Sequence, residues 1–81
     1  MTLTEVLDDV WSEVDRAEKK HKPMHSAHEG LSVIWEEFEE LKAEVFKGGK
    51  TPRDPAAMRK EAVELAAMAV RFIRDVCDRL S

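Results

Sequence analysis

Cysteine is nearly missing from this sequence: Cys77 stands alone among 81 residues. An intrachain disulfide is therefore excluded, and a reducing compartment, the cytoplasm, is the expectation. Glycine and proline are scarce at three each, which excludes collagen-like and low-complexity chains. The longest uncharged runs, residues 65–70 among them, are six residues long, far short of the roughly 20 needed to cross a bilayer. Residues 1–9 lack the basic start and apolar stretch of a secretory signal. Basic charge is also in deficit. Thirteen Lys and Arg against seventeen Asp and Glu leave a net charge of −4, so neither a nucleic-acid polymer nor an anionic membrane is an expected partner. No Gly-rich phosphate loop, nucleophile elbow or Cys–His pair is present.

What is present is a 43% hydrophobic, 37% charged chain with helical periodicity throughout. The expected fold is all-α, a single domain over residues 1–81 with three helices at about 3–20, 26–46 and 55–80. Thr2 and Glu5 spell a capping box ahead of Leu3, Val6, Leu7, Val10, Trp11, Val14 and Ala17, an apolar stripe in which Trp11 is expected to be core. Lys22-Pro23 ends that helix. Ser26 and Glu29 spell a second capping box, followed by a seam of Ala27, Leu31, Ile34, Phe38, Leu41 and Val45, with Gly48-Gly49 as the stop. Asp54 as N-cap and Pro55 at the first helical position open the third helix, whose seam is Ala62, Ala66, Ala69, Ile73, Val76 and Leu80. Between Ala62 and Ile73 only Glu64 and Arg71 are charged, so this helix is expected to be buried on more than one side, against a second copy of the chain. Met58 and Met68 are expected to fill gaps in packing.

The acidic residues carry the chemistry. Glu36, Glu37, Glu39, Glu40 and Glu44 crowd the second helix. Glu36 and Glu39 fit a solvated face, but Glu37 and Glu40 lie three apart beside the Ile34–Phe38–Leu41 seam. Glu61 and Glu64 repeat that spacing on the third helix. In an antiparallel hairpin, Glu37 faces Glu64 and Glu40 faces Glu61 about one apex, between Lys50 and Thr51. Glu40 and Glu61 each fall roughly 9 Å down their helices from that loop. Four converged carboxylates repel unless a cation sits among them, and oxygen-only ligation suits Mg²⁺ or Mn²⁺ rather than zinc. The Glu-x-x-His pairs of a di-iron bundle are absent. Mg²⁺ characteristically bridges to phosphates, which makes a polyphosphate the implied ligand.

Glu36-Glu37-x-x-Glu40 followed by Glu61-x-x-Glu64 resembles the EExxE…ExxD signature of the MazG-like all-α nucleoside triphosphate pyrophosphohydrolases. The 25–30 segment and the run from Arg59 to Ala69 resemble small, phage-type members. The family's usual final Asp is Glu64 here. The resemblance covers about half the chain. It implies Mg²⁺-dependent conversion of a (deoxy)nucleoside triphosphate to the monophosphate and pyrophosphate. Glu37, Glu40, Glu61 and Glu64 would be the metal and catalytic residues, in a homodimer or homotetramer with sites at subunit contacts.

Secondary candidates for substrate contact are Lys60 and Arg59 beside Glu61, His28 in the first turn of the second helix, and Trp35 as a stacking surface. His21 and His25 are expected to be solvated or capping, and Lys47, Lys50 and Arg53 to be solubilising charges around the loop. The alternative to an enzyme is a non-catalytic helical oligomerisation or regulatory module that keeps the acidic fold.

Overall fold

The computed structural model describes residues 1–47 and 52–80 and is helical in all its regular structure. Helix α1 spans Leu3–Lys20, α2 Ala27–Val45 and α3 Pro55–Phe72; a single π-turn, Ile73–Cys77, continues α3 into the short α4, Asp78–Leu80. Among the described residues no helix is long and apolar enough to cross a membrane. The Gly48-Gly49 stop, the hairpin apex and Lys50 lie outside the described residues, as does the side chain of Leu80.

Local capping sets the helix starts. Thr2 and Glu5 form the reciprocal capping box, with Glu5 N–H donating to Thr2 Oγ1 at 3.2 Å and Thr2 N–H to Glu5 Oε1 at 3.2 Å. Ser26 Oγ accepts from Glu29 N at 3.1 Å. The return half of that second box differs from expectation, because the Glu29 carboxylate accepts from His25 N at 3.0 Å, one residue earlier. Asp54 Oδ1 accepts from Ala56 N at 2.9 Å and Pro55 follows at N1, where its missing N–H costs nothing.

Helix α3 packs against both α1 and α2. Ion pairs give the directions. Asp9 with Arg59 (2.6 Å) and Glu18 with Arg74 (3.0 Å) advance together along α1 and α3, so these two run parallel. Arg53 Nε reaches Val45 O (2.8 Å) where α2 ends and α3 begins, and Gly30 near the start of α2 lies against the Phe72 ring at the end of α3, so that pair is antiparallel. The bundle is therefore up-down-up. Its buried core is small: Val14, Ala17, Met24, Ala67, Met68 and Val76, with Val10, Val33, Ile34, Val70 and Phe72 packed around it.

Three expectations are corrected here. Trp11 is not core; it is 76% exposed, beside Leu3 and Leu7, which are also exposed. Helix α3 is the main cover of α1, and α1 turns the Val10–Val14–Ala17 line inward, which leaves Leu3, Leu7 and Trp11 off to one side. The α2 seam is likewise divided, with Leu31 and Phe38 exposed and Ile34, Leu41 and Val45 half-buried. On α3 the apolar seam is not the inward line: Ala62, Ala69 and Ile73 are exposed, while Ala67, Met68 and Arg71 are buried. The inner stripe runs Glu61, Glu64, Met68, Arg71, Asp75, stepping by 3, 4, 3, 4. The π-turn, closed by Asp78 N–H donating to Ile73 C=O, then adds a residue to the turn and Val76 ends inside, 2% exposed. The two sides of α3 are covered by its own α1 and α2, so the large apolar residues left without cover lie chiefly on the outer helices.

Candidate metal centre

Each of Glu37, Glu40, Glu61 and Glu64 offers a carboxylate oxygen that lies within 4.8 Å of those of the other three. The antiparallel register of α2 and α3 puts them there, since an i, i+3 pair on each helix occupies one side over a single turn. The Glu61 and Glu64 side chains are both only 16% exposed. Glu37 is half-buried and Glu40 is open to water. Glu37 Oε2 and Glu61 Oε2 are buried without a hydrogen-bond donor, which is costly for a carboxylate.

Electrostatics follow from this crowding. Burial, and then the charges of Glu40, Glu64 and Glu61, push the Glu37 carboxyl up to about 7. The Glu61 carboxyl is also raised, first by burial, then by its neighbours Glu40 and Glu64, with Lys60 opposing. Among the described residues Lys60 is the cation in contact with the group: its Nζ is 3.0 Å from Glu64 Oε1 and 3.7 Å from Glu61 Oε1. Its ammonium is in turn held above the usual lysine range, chiefly by the hydrogen bond to Glu64. Lys60 is 67% exposed, so it screens the cluster from the rim rather than filling it.

A cavity of about 540 Å³ opens beside the glutamates, between α1, α2 and α3. Glu37, Glu40 and Glu64 line it together with Arg16, Lys20, His21, Lys22 and Arg71, and so do Glu13, Glu29 and Glu36. Its volume suits a small ligand. The basic lining comes from the end of α1 and the inner stripe of α3.

The secondary candidates fall elsewhere. Arg59 is engaged with Asp9 across to α1, at 2.6 Å. His28 is exposed and Trp35 is 60% exposed on the outer side of α2, and neither lines the cavity. His25 is exposed, its N–H serving the α2 cap. Lys47 and Arg53 are not merely solubilising: Lys47 pairs with Glu44 at 3.0 Å, and Arg53 Nε donates to Val45 O at 2.8 Å, closing the end of α2. Met68 is buried as expected of a filler, and Met58 is half-buried. Two residues that sequence reasoning passed over are central to the fold around the cavity. Met24 is 2% exposed, and Arg71 is 3% exposed in the cavity wall. The only signal for Arg71 was a charge in the most apolar stretch of the chain.

No protein-family model, curated protein or solved structure matches this chain.

Proposed function

We propose that this protein is a Mg²⁺-dependent nucleotide pyrophosphohydrolase of the MazG-like type, hydrolysing a (deoxy)nucleoside triphosphate to the monophosphate and pyrophosphate. The observation that carries the proposal is the convergence of Glu37, Glu40, Glu61 and Glu64 to within 4.8 Å. An all-oxygen donor set fits Mg²⁺, with Mn²⁺ as its substitute. The buried, donorless Oε2 atoms of Glu37 and Glu61 fit it too, because a cation is the partner they lack. When bound, the ion would act as a Lewis acid on the phosphates and offset charge on the departing pyrophosphate. Glu37, Glu40, Glu61 and Glu64 would hold it, and a carboxylate of the four would orient or deprotonate the attacking water. Lys60, at the rim, is placed to meet a phosphate oxygen.

Self-association belongs to the same proposal. Leu3, Leu7 and Trp11 on α1 and Leu31, Trp35 and Phe38 on α2 form exposed apolar stripes that a monomer leaves in water. A homodimer or homotetramer would cover them, through the outer helices rather than through α3. A cytoplasmic setting fits the lone, unpaired Cys77.

The direct test is incubation with a panel of (d)NTPs and Mg²⁺, following monophosphate and pyrophosphate. Glu64→Gln should lower kcat/KM at least about 100-fold and remove the stabilisation by Mg²⁺. No turnover of any nucleotide at micromolar protein would refute catalysis. One observation favours a second, non-catalytic reading: Lys60 already lends the cluster a cation. That reading expects Glu64→Gln to raise the melting temperature while Mg²⁺ changes neither variant.

A further inference from the structure

Arg71 is out of place in a structural account of α3. Its side chain is 4% exposed, in a helix whose other buried members are Ala67 and Met68. A guanidinium brings five N–H donors and no acceptor, and burying it without partners is costly. Its partners are few. Nη2 donates to Lys22 O at 3.0 Å, and Nη1 meets the weak acceptor Met68 Sδ at 3.6 Å. Nε is buried with no acceptor. The nearest carboxylate oxygen, Asp75 Oδ2, is 3.9 Å away, too far for a hydrogen bond, and already accepts from Met24 N at 3.1 Å. A buried cation is thus only loosely compensated within the chain.

Its position gives that imbalance a use. Arg71 lines the same cavity as Glu37, Glu40 and Glu64, seven residues and about 10 Å of helix axis beyond Glu64. Lys20 and Lys22 line the cavity from the end of α1 and the connection that follows, adding positive charge there. Arg16 does not add to it freely, since Glu13 holds it at 2.5 Å and 3.0 Å. The cavity lining is therefore of mixed sign, with Glu13, Glu29 and Glu36 as well as Glu37, Glu40 and Glu64 beside these cations, and among them Arg71 is the buried one.

We infer that the Arg71 end of this cavity is an anion subsite, receiving phosphate oxygens of the ligand whose other phosphates meet the metal centre. The inference rests on the proposed function for the identity of that ligand, but the subsite can be tested apart from it. Arg71 supplies a planar fork rather than a point charge, the geometry that suits a phosphate. Lys20 and Lys22 would follow as mobile charges at the rim. This assigns phosphate recognition to α1 and the inner stripe of α3, in place of Arg59, which is held by Asp9.

Calorimetric titration of the whole chain separates the parts. Mn²⁺ alone is titrated first, and tripolyphosphate is then titrated in excess Mg²⁺ and again in EDTA. Arg71→Lys should leave Mn²⁺ affinity unchanged and weaken tripolyphosphate roughly tenfold or more, the loss of one charge-assisted bond. Arg74→Gln, at a pair on the outer side of the bundle, should change neither. Equal tripolyphosphate affinity in wild type and Arg71→Lys overturns the subsite. Binding of Mn²⁺ without any binding of tripolyphosphate overturns the subsite and leaves the metal centre standing. Arg71-dependent binding of tripolyphosphate in EDTA, with no Mn²⁺ bound, supports the subsite and removes the metal centre. Should Arg71→Lys fail to fold, the Arg71 Nε–H resonance of the wild type decides: it shifts on adding tripolyphosphate, and a silent resonance overturns the inference.

Discussion

Early in α3, Glu61 and Glu64 face Glu37 and Glu40 of α2, whereas two to three turns later Arg71 and Asp75 face the connection between α1 and α2. Both regions put charge against a neighbouring element, but they do so in opposite ways. The first collects four groups of one sign, leaves two buried oxygens without donors and borrows the exposed ammonium of Lys60. The second alternates sign and recruits backbone. Arg71 reaches Lys22 O, Asp75 accepts from Met24 N, and Arg79 donates to Met24 O at 3.3 Å and His25 O at 2.6 Å. The clasp settles the chain reversal from α1 to α2, while the carboxylate end remains costly until something positive enters. A like-charged cluster left costly beside a clasp that finds backbone partners is the expected pattern where function, rather than folding, selects the residues.

The largest expected effect comes from removing the clasp. Asp75→Ala removes the acceptor for the buried Met24 N–H and, among the described residues, the carboxylate nearest the buried Arg71 guanidinium. Stripping one member from such a pair costs about 3 kcal/mol, which in a chain this small lowers the melting temperature by roughly 15 °C. Thermal unfolding followed by circular dichroism measures it. A fall of less than a few degrees would mean that the connection is held by other contacts and that the clasp is incidental.

The two regions also differ in how far they could be read in advance. Glu37, Glu40, Glu61 and Glu64 were legible because a hairpin converts spacing along the chain directly into height, and nothing distant is needed. The helix starts were legible for the same reason: Thr2 with Glu5, Ser26, and Asp54-Pro55 act within three residues of themselves. The clasp was not. Arg71 and Lys22 are 49 residues apart, and Met24 sits in a non-periodic stretch after Pro23. Hydrophobicity selected the wrong line on α3, because the inner stripe is mostly charged while Ala62, Ala69 and Ile73 lie outside. Trp11 failed similarly. A two-helix cover cannot bury every side of an amphipathic helix, and period alone does not say which apolar residues are left over.

A smaller effect is expected at the carboxylates. The Glu37 carboxyl is raised above its unfolded value, to about 7, by burial and by like charge. Between roughly pH 5 and 7 the folded chain therefore binds more protons than the unfolded one, so metal-free stability falls as pH rises through that window. The loss is on the order of 1 kcal/mol once screening by water at this partly open group is allowed for. Glu37→Gln should flatten the slope and stabilise the metal-free protein near neutral pH. Melts in EDTA from pH 5 to 8 check both. A slope identical in the variant would place the titration on another group. Saturating Mg²⁺ should flatten it too, because the ion competes with the proton for the same oxygens.

The smallest effect is the most discriminating, because its sign differs between two ligands. Lys60 lies at the rim of the glutamates, 3.0 Å from Glu64 and largely exposed, so its removal should barely alter folding in EDTA. For a bare divalent ion, however, a neighbouring ammonium is a competitor. Lys60→Gln should tighten Mn²⁺ binding by roughly two- to threefold, as expected for one screened charge. For a nucleoside triphosphate the same ammonium is an ally, so that KM with Mg²⁺ saturating should rise by a similar factor. Titration of Mn²⁺ alone, set beside steady-state turnover, reads both signs from one variant. If both affinities weaken together, Lys60 organises the carboxylates rather than balancing them. If neither moves, it is an ordinary surface charge, and the cations that matter lie within the cavity, on Arg71 and its neighbours.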